Sequence, residues 1–368
     1  MNRIIVSIIS EQTIPNYLFI KEIYQQGDSL LFIASQKFSS RIDWIVKTLN
    51  LRDISIESIL FPDGGEERWK EMELFVKGRL STDKSYIVNL TGGTKYMSLL
   101  VQHVFEQFNS VFYYIPYPQN VLLEPSCDES ISLKYRLTVR EYLSNYNVSF
   151  TEKKLVRDES YCDYIFDRFV NGNMNYKIID GLRSYRNVKR RAVSSIETTH
   201  TEKFPRIEGL SIFLESIHFQ MGEKGFLERA EIEYLTGGWF EEYMYYKIRK
   251  NIVPQDIKLG VLIQRTETSN MNDLDLVFIS GNKLFVIECK TGILGVGMFN
   301  QTVYKASAIK EAVLGLSANT FIASLASEDE NLKKTARNMG VQYKCREDIE
   351  NPSRFESFMN QIKEIAKD

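Results

Sequence analysis

Asp275 and the pair Glu288 and Lys290 are the residues best placed to do chemistry. In NDLDLVFISGNKLFVIECKTG, Asp275 opens one β-type run, Glu288-Cys289-Lys290 closes the next, and Ser280-Gly281-Asn282 lies between them. Glycine and asparagine accept the positive φ of tight turns, so the segment predicts a β-hairpin. Side chains alternate along a strand, so Glu288 and Lys290 share one face, Cys289 points to the other, and the turn returns Asp275 beside them. Two carboxylates and an ammonium in one place suit a divalent ion, Mg²⁺ or Mn²⁺. The lysine would orient or deprotonate water and offset phosphate charge, which is the equipment of a phosphodiesterase. An ion between the carboxylates would also relieve their repulsion. The competing reading is a solvated salt bridge on a surface hairpin. Upstream, Gly237-Gly238-Trp239-Phe240-Glu241-Glu242 opens an amphipathic helix that could present a further acid.

A second polar constellation lies near the N-terminus. Ile87–Leu90 reads as a strand that breaks at Thr91-Gly92-Gly93-Thr94-Lys95 and enters a helix at Tyr96-Met97. Glycines let backbone amides approach a ligand, and a helix N-terminus with hydroxyls and a lysine favours phosphate oxygens. The spacing matches neither a P-loop nor a dinucleotide fingerprint, which argues against nucleotide triphosphate hydrolysis. An N-capped strand-to-helix turn is the plainer alternative. Ser10, Glu11, Gln12, Thr13 and Asn16 follow the first strand, and Ser35 and Gln36 follow the second, so three polar loops share one rim.

The positioning elements follow from periodicity. Apolar runs at Ile4–Ile9, Leu30–Ala34, Ile54–Phe61, Tyr86–Leu90 and Val111–Tyr114 predict strands separated by helices, hence a parallel sheet with ligands at the carboxyl ends of its strands. The divisions expected are 1–145 for this unit, 146–216 for a helical linker region with a basic run (Arg183, Arg186, Lys189, Arg190, Arg191), and 217–368 for a second α/β unit. That unit should hold a helix at Trp239–Arg249 and strands at Lys258–Gln264, Asp275–Ile279, Lys283–Cys289 and Thr320–Ala323. A helix at Gln301–Leu316 and a terminal helix complete it. The basic run reads as a solvated helix face or as a phosphate grip.

Bulk composition narrows the classes. With 46 Lys+Arg against 48 Asp+Glu the chain is not globally basic, so nucleic-acid contact must come from local patches. Cys127, Cys162, Cys289, Cys345 and the three histidines do not fall at zinc-ligand spacing. No stretch approaches the ~20 apolar residues of a membrane span, and the first residues lack an unbroken apolar core, so the expectation is a cytoplasmic protein with reduced thiols.

Asp275 followed by Glu288-Cys289-Lys290 resembles the PD-(D/E)xK nuclease core, with Glu241 matching its first-motif acid and Leu274 standing where the signature has proline. The resemblance implies that Glu241, Asp275 and Glu288 bind the metal and that Lys290 is catalytic. Asp273 remains an alternative to Asp275. LTGGTKYMS, YLTGGWFEEY and ECKTG together make the whole chain similar to the CRISPR-associated Rossmann-fold (CARF) nucleases of type III systems. That family implies an α/β chain with an N-terminal Rossmann-like CARF domain and a C-terminal restriction-endonuclease-like domain. It further implies a homodimer activated by cyclic tetra-adenylate and the cleavage of DNA, RNA or both with Mn²⁺ or Mg²⁺. The ligand would be held by Ser10, Glu11, Gln12, Thr13, Asn16, Ser35, Gln36, Thr91, Gly92, Gly93, Thr94, Lys95 and Met97. Two other functions stay open: a nucleotide-sensing regulator that binds nucleic acid without cutting it, and an N-terminal domain that degrades its own activator.

Overall fold

The computed structural model describes residues 3–62, 64, 68–127, 129–191, 207–220, 227, 229–265, 271–292 and 318–367. The first unit runs β1 (Arg3–Ile8), α1 (Ile14–Ile23), β2 (Ser29–Ser35), α2 (Ser39–Leu49), β3 (Ile56–Phe61), α3 (Trp69–Lys77), β4 (Ser85–Asn89), α4 (Lys95–Phe105) and β5 (Ser110–Tyr113). The small ribbon β6 (Val121–Glu124) and β7 (Glu129–Ser132) follows, then α5 (Val139–Ser144). All five strands of the main sheet are parallel, in the order β3-β2-β1-β4-β5. The strand order reverses between β1 and β4, the usual ligand position of an open α/β sheet.

The second unit opens with β8 (Val148–Thr151), α6 (Glu159–Val170), α7 (Tyr176–Arg191), α8 (Leu210–Ser216), α9 (Arg229–Glu233) and α10 (Trp239–Ile252). The strands β9 (Asp256–Arg265), β10 (Met271–Ser280), β11 (Lys283–Lys290), β12 (Asn319–Ser324) and β13 (Gln342–Lys344) complete a six-stranded sheet in the order β13-β12-β11-β10-β9-β8. It is antiparallel from β8 to β11 and parallel from β11 to β13. The chain ends in a helix at Pro352–Lys367. The stretch expected as a linker thus supplies an edge strand to this sheet, and Cys162, Ile165 and Phe169 of α6 share a core with Phe240, Tyr243 and Met244 of α10. A four-residue strand within polar sequence carries too little periodicity to be read as one. The helix expected at Gln301–Leu316 lies outside the described residues.

Among the described residues, three large apolar clusters lie between the sheets and helices. One side of the first sheet packs on α3 and α4, where Met97, Leu100, Val101, Val104 and Phe105 are buried, each worth roughly 1.5–3 kcal/mol if fully withdrawn from water. On its other side α1, α2 and α5 form a middle layer whose core also contains Val261, Ile263, Leu274, Val277, Ile279, Leu284 and Val286 of the second sheet. The far face of the second sheet, with Leu276, Phe278, Phe285 and Ile287, packs on α6, α10 and the terminal helix.

Candidate active site and ligand rim

The hairpin forms as its sequence predicts, β10 and β11 pairing antiparallel with Leu276 opposite Ile287 and Ser280 opposite Lys283. Asn282 takes the left-handed conformation (φ 57) and Gly281 the same (φ 58). A Cβ at Gly281 would lie 1.8 Å from the Ala366 carbonyl oxygen, so only glycine lets the turn seat against the terminal helix. The turn is also gripped by the first unit. The Asn282 side-chain oxygen accepts from Leu137 N (2.9 Å) and Gln255 Nε2 (2.9 Å), and its Nδ2 donates to Asn120 Oδ1 (2.8 Å) and the Tyr135 carbonyl (3.1 Å). Asn120 Nδ2 in turn donates to the Gly281 carbonyl (2.7 Å).

At the open end of the hairpin, Lys290 Nζ lies 3.0 Å from Asp275 Oδ2 and 3.2 Å from Glu288 Oε2. Asp275 Oδ2 also accepts from Cys289 N at 2.7 Å. Burial works against the Lys290 charge, but Asp275 and Glu288 outweigh it and hold its pKa above the ordinary lysine value. Glu241, in the first turn of α10, is pushed up to about 8 by burial and then by the charge of Asp275, with Lys153 pulling the other way. Cys289 faces the opposite core, where burial raises its thiol well above normal.

The neighbouring acid has a different job. Glu242 accepts from Val156 N (2.6 Å) and Arg157 N (3.0 Å), tying the segment after β8 to α10, whereas Glu241 faces Lys153 at 3.8 Å and feels the charge of Asp275. Asp273 does not simply mirror Asp275. Leu274 lies in the middle-layer core and Leu276, two residues on, in the opposite core, so strict alternation breaks beside Gly260 (φ 55), the residue of β9 between the partners of these two leucines. Asp273 instead meets Lys153, a residue the sequence reading passed over. Lys153 Nζ lies 3.7 Å from Asp273 Oδ2 and 3.8 Å from Glu241 Oε2. Among the described residues, the group whose ligand-type atoms all fall within 4.8 Å of one another is Glu328, Cys345 and Glu347, and Glu328 there is bonded to Lys333 and Arg354. Glu241, Asp275 and Glu288 are not gathered so tightly, and the Lys290 ammonium bonds to Asp275 and Glu288 together.

Two loops frame the centre. Tyr234–Gly238 forms a wide turn between α9 and α10, and a Cβ at Gly237 would stand 3.6 Å from Thr291 Oγ1, so YLTGG and KTG meet directly. Arg183 joins them, donating to Thr291 Oγ1 (3.2 Å) and the Thr236 carbonyl (3.4 Å). The first member of the basic run is therefore committed to a contact, and the side chains of Arg186, Lys189, Arg190 and Arg191 lie outside the described residues.

The expected rim of the first unit divides by burial. Glu11, Gln36, Thr94 and Lys95 are exposed; Ser10, Gln12, Ser35, Thr91 and Gly93 are half-buried; Thr13, Asn16, Gly92 and Met97 are buried. Thr13 donates to the Asn145 carbonyl (2.9 Å), and Asn89 Nδ2 donates to Asn16 Oδ1 (3.0 Å), which links the end of β4 to the first turn of α1. Thr91 Oγ1 donates to Asn89 Oδ1 (2.6 Å) and accepts from Ile115 N (2.7 Å). Thr94 caps α4 by accepting from Met97 N, and the Met97 side chain belongs to the core. A Cβ at Gly92 would lie 1.8 Å from the Ile8 carbonyl oxygen, so the first glycine is required for the β4 loop to cross the end of β1.

Comparison with known proteins supplies the domain families. Residues 4–142 match the family described as the Card1 CARF domain, and residues 228–353 match the one described as the Card1-like endonuclease domain. The fold is similar to that of protein VC1899 from Vibrio cholerae, with a TM-score of 0.76 and 19% identity over 99% of this chain and 98% of that one. It is likewise similar to Can2 from Sulfobacillus thermosulfidooxidans in complex with cyclic tetra-adenylate, at a TM-score of 0.73 and 20% identity over 99% of each chain. A type III CRISPR defence DNA nuclease activated by cyclic oligoadenylate shares the fold more distantly, with a TM-score of 0.57 and 13% identity over 96% of this chain and 52% of that one. No curated protein sequence matches the chain. The two matched regions fall on the parallel-sheet unit and on the unit carrying the acidic hairpin, so the chain joins a Card1-type CARF domain to a Card1-like endonuclease domain.

Proposed function

We propose that this protein is a nuclease of type III CRISPR defence that cuts DNA, RNA or both with Mn²⁺ or Mg²⁺ and is switched on by cyclic tetra-adenylate. The observation that carries the reading is the convergence of Asp275, Glu288 and Lys290 at the hairpin end, with half-buried Glu241 close enough to feel the charge of Asp275. The donor set fits a hard divalent ion: it is made of carboxylate oxygens, and Asp275 and Glu288 already share one cation, the Lys290 ammonium, at 3.0 and 3.2 Å. Glu241, Asp275 and Glu288 would hold the ion, which when bound supplies Lewis-acid stabilisation of the phosphoryl oxygens and lowers the pKa of water. Lys290 donates hydrogen bonds, orienting the carboxylates and water and opposing phosphate charge. Cys289 N fixes the rotation of Asp275, and Glu242 holds α10 in place so that Glu241 stays aimed.

Activation is the part of the reading carried by likeness to the complex of Can2 with cyclic tetra-adenylate. The loops after β1 and β4 lie where an open α/β sheet places ligands, and Glu11, Gln36, Thr94 and Lys95 are the exposed members of the expected rim. A ligand with rotational symmetry is matched by a two-fold pair of such rims, so the working form is a homodimer. The activator acts by binding the active arrangement better than the resting one. The test is cleavage of labelled DNA and RNA with Mn²⁺, with and without cyclic tetra-adenylate, by the wild type and Glu288→Gln. Cleavage lost in the variant with activator binding retained is the expected result. A fully active Glu288→Gln would refute the assignment.

A further inference from the structure

Lys153 stands beside the acidic centre yet is not consumed by it. Its backbone N–H donates to the Leu259 (3.0 Å) and Gly260 (3.2 Å) carbonyls, which carries the pairing of β8 with β9 beyond Thr151. Its side chain then lies across Gly260: a Cβ there would come within 2.3 Å of Lys153 Cδ, so the missing side chain is what gives the lysine its course. The ammonium ends 3.7 Å from Asp273 and 3.8 Å from Glu241, beyond hydrogen-bond length from either, and its side chain is 44% exposed. Lys290, by contrast, is 26% exposed and bonded to both of its carboxylates. A polyanion approaching Asp273, Asp275, Glu241 and Glu288 meets repulsion unless a cation faces it at the entrance. We infer that Lys153, steered across Gly260, takes a phosphate oxygen of the nucleic-acid substrate at the mouth of the acidic centre. The inference rests on the nuclease reading above for the location of the substrate.

The test measures binding and cleavage separately. In the full-length Glu288→Gln protein with Mn²⁺ and cyclic tetra-adenylate, the Kd of a fluorescein-labelled single-stranded oligonucleotide, as DNA and as RNA, is followed against salt. Adding Lys153→Ala should weaken binding several-fold at low salt and flatten the slope of log Kd on log salt by about 0.7, the contribution of one phosphate contact on a single strand. Lys153→Arg should restore both. Gly260→Ala should reproduce the Lys153→Ala slope and add little to it in the double variant. An unchanged Kd and slope in Lys153→Ala would overturn the inference, as would an equal loss in Lys154→Ala, the exposed neighbour that controls for charge alone. Wild-type cleavage is scored in parallel. A wild type that cuts, with unaffected Lys153→Ala binding, removes this inference alone. A wild type that cuts nothing, with weakened Lys153→Ala binding, removes the nuclease reading and leaves the phosphate contact.

Discussion

Replacing Asn282 with glycine deletes a buried side chain while keeping the left-handed backbone the turn requires, since glycine adopts a φ near 57 without strain. The side chain is 1% exposed and makes four hydrogen bonds, to Leu137 N, Gln255, Asn120 and the Tyr135 carbonyl. At about 1 kcal/mol net for each, and with the buried Leu137 N–H left without its acceptor, the expected cost is about 3–5 kcal/mol. The Asn282→Ala variant should cost roughly 1–2 kcal/mol more, because alanine resists the left-handed region. Urea unfolding read by tryptophan fluorescence measures both, and the glycine variant should shift the midpoint downward by on the order of 1 M. The two variants must rank with alanine the worse. A glycine variant within about 1 kcal/mol of wild type would show that the polar joint between hairpin turn and first unit contributes no more than water does, and the reasoning would fail.

Other substitutions separate residues that look alike. Glu242→Ala should cost about 2–4 kcal/mol by stranding the Val156 and Arg157 amides, whereas Glu241→Ala should raise rather than lower the urea midpoint at pH 7 and abolish cleavage. Glu241 has a folded-state pKa raised to about 8, so its contribution is fully present below the ordinary carboxylate range and is lost as pH rises through 8. Without divalent ions, wild type should therefore lose ground to Glu241→Gln between pH 5 and pH 9 in paired urea titrations, and a constant difference would refute the raised pKa. The same deprotonation should make Mn²⁺ binding release protons near pH 7, which calorimetry in buffers of different ionisation enthalpy reads directly. Gly92→Ala, whose new methyl would meet the Ile8 carbonyl, should cost several kcal/mol and weaken cyclic tetra-adenylate binding; a stable, binding-competent variant would show that the loop has room to move.

The fold was legible where burial writes a clear pattern. The five parallel strands announce themselves as short apolar runs because both faces of that sheet are covered, and the hairpin does so through its Gly-Asn turn. The β8 strand was not legible: its place in the sheet depends on β9, more than one hundred residues away, and four residues set no period. Within the candidate site, Asp275, Glu288 and Lys290 could be grouped because one hairpin joins them, whereas Lys153 reaches Glu241 and Asp273 only through tertiary structure. Its trace in the sequence was Gly260, a lone glycine inside a strand, which signals close approach by another part of the chain. Adjacent acids in a first helical turn, such as Glu241 and Glu242, cannot be sorted from sequence without knowing which one meets backbone amides.

The middle layer makes the two halves unequal to independence. Splitting the gene between the regions that match separate families would bare Val261, Ile263, Leu274, Val277, Ile279, Leu284 and Val286 on one fragment and strip the other of the surface that covers α5. Each piece would enter solution with a wide oily flank and clump. A chimera that borrowed a foreign sensor would have to reproduce that mating surface contour for contour, so engineering new signal inputs into this nuclease begins with these seven aliphatic side chains.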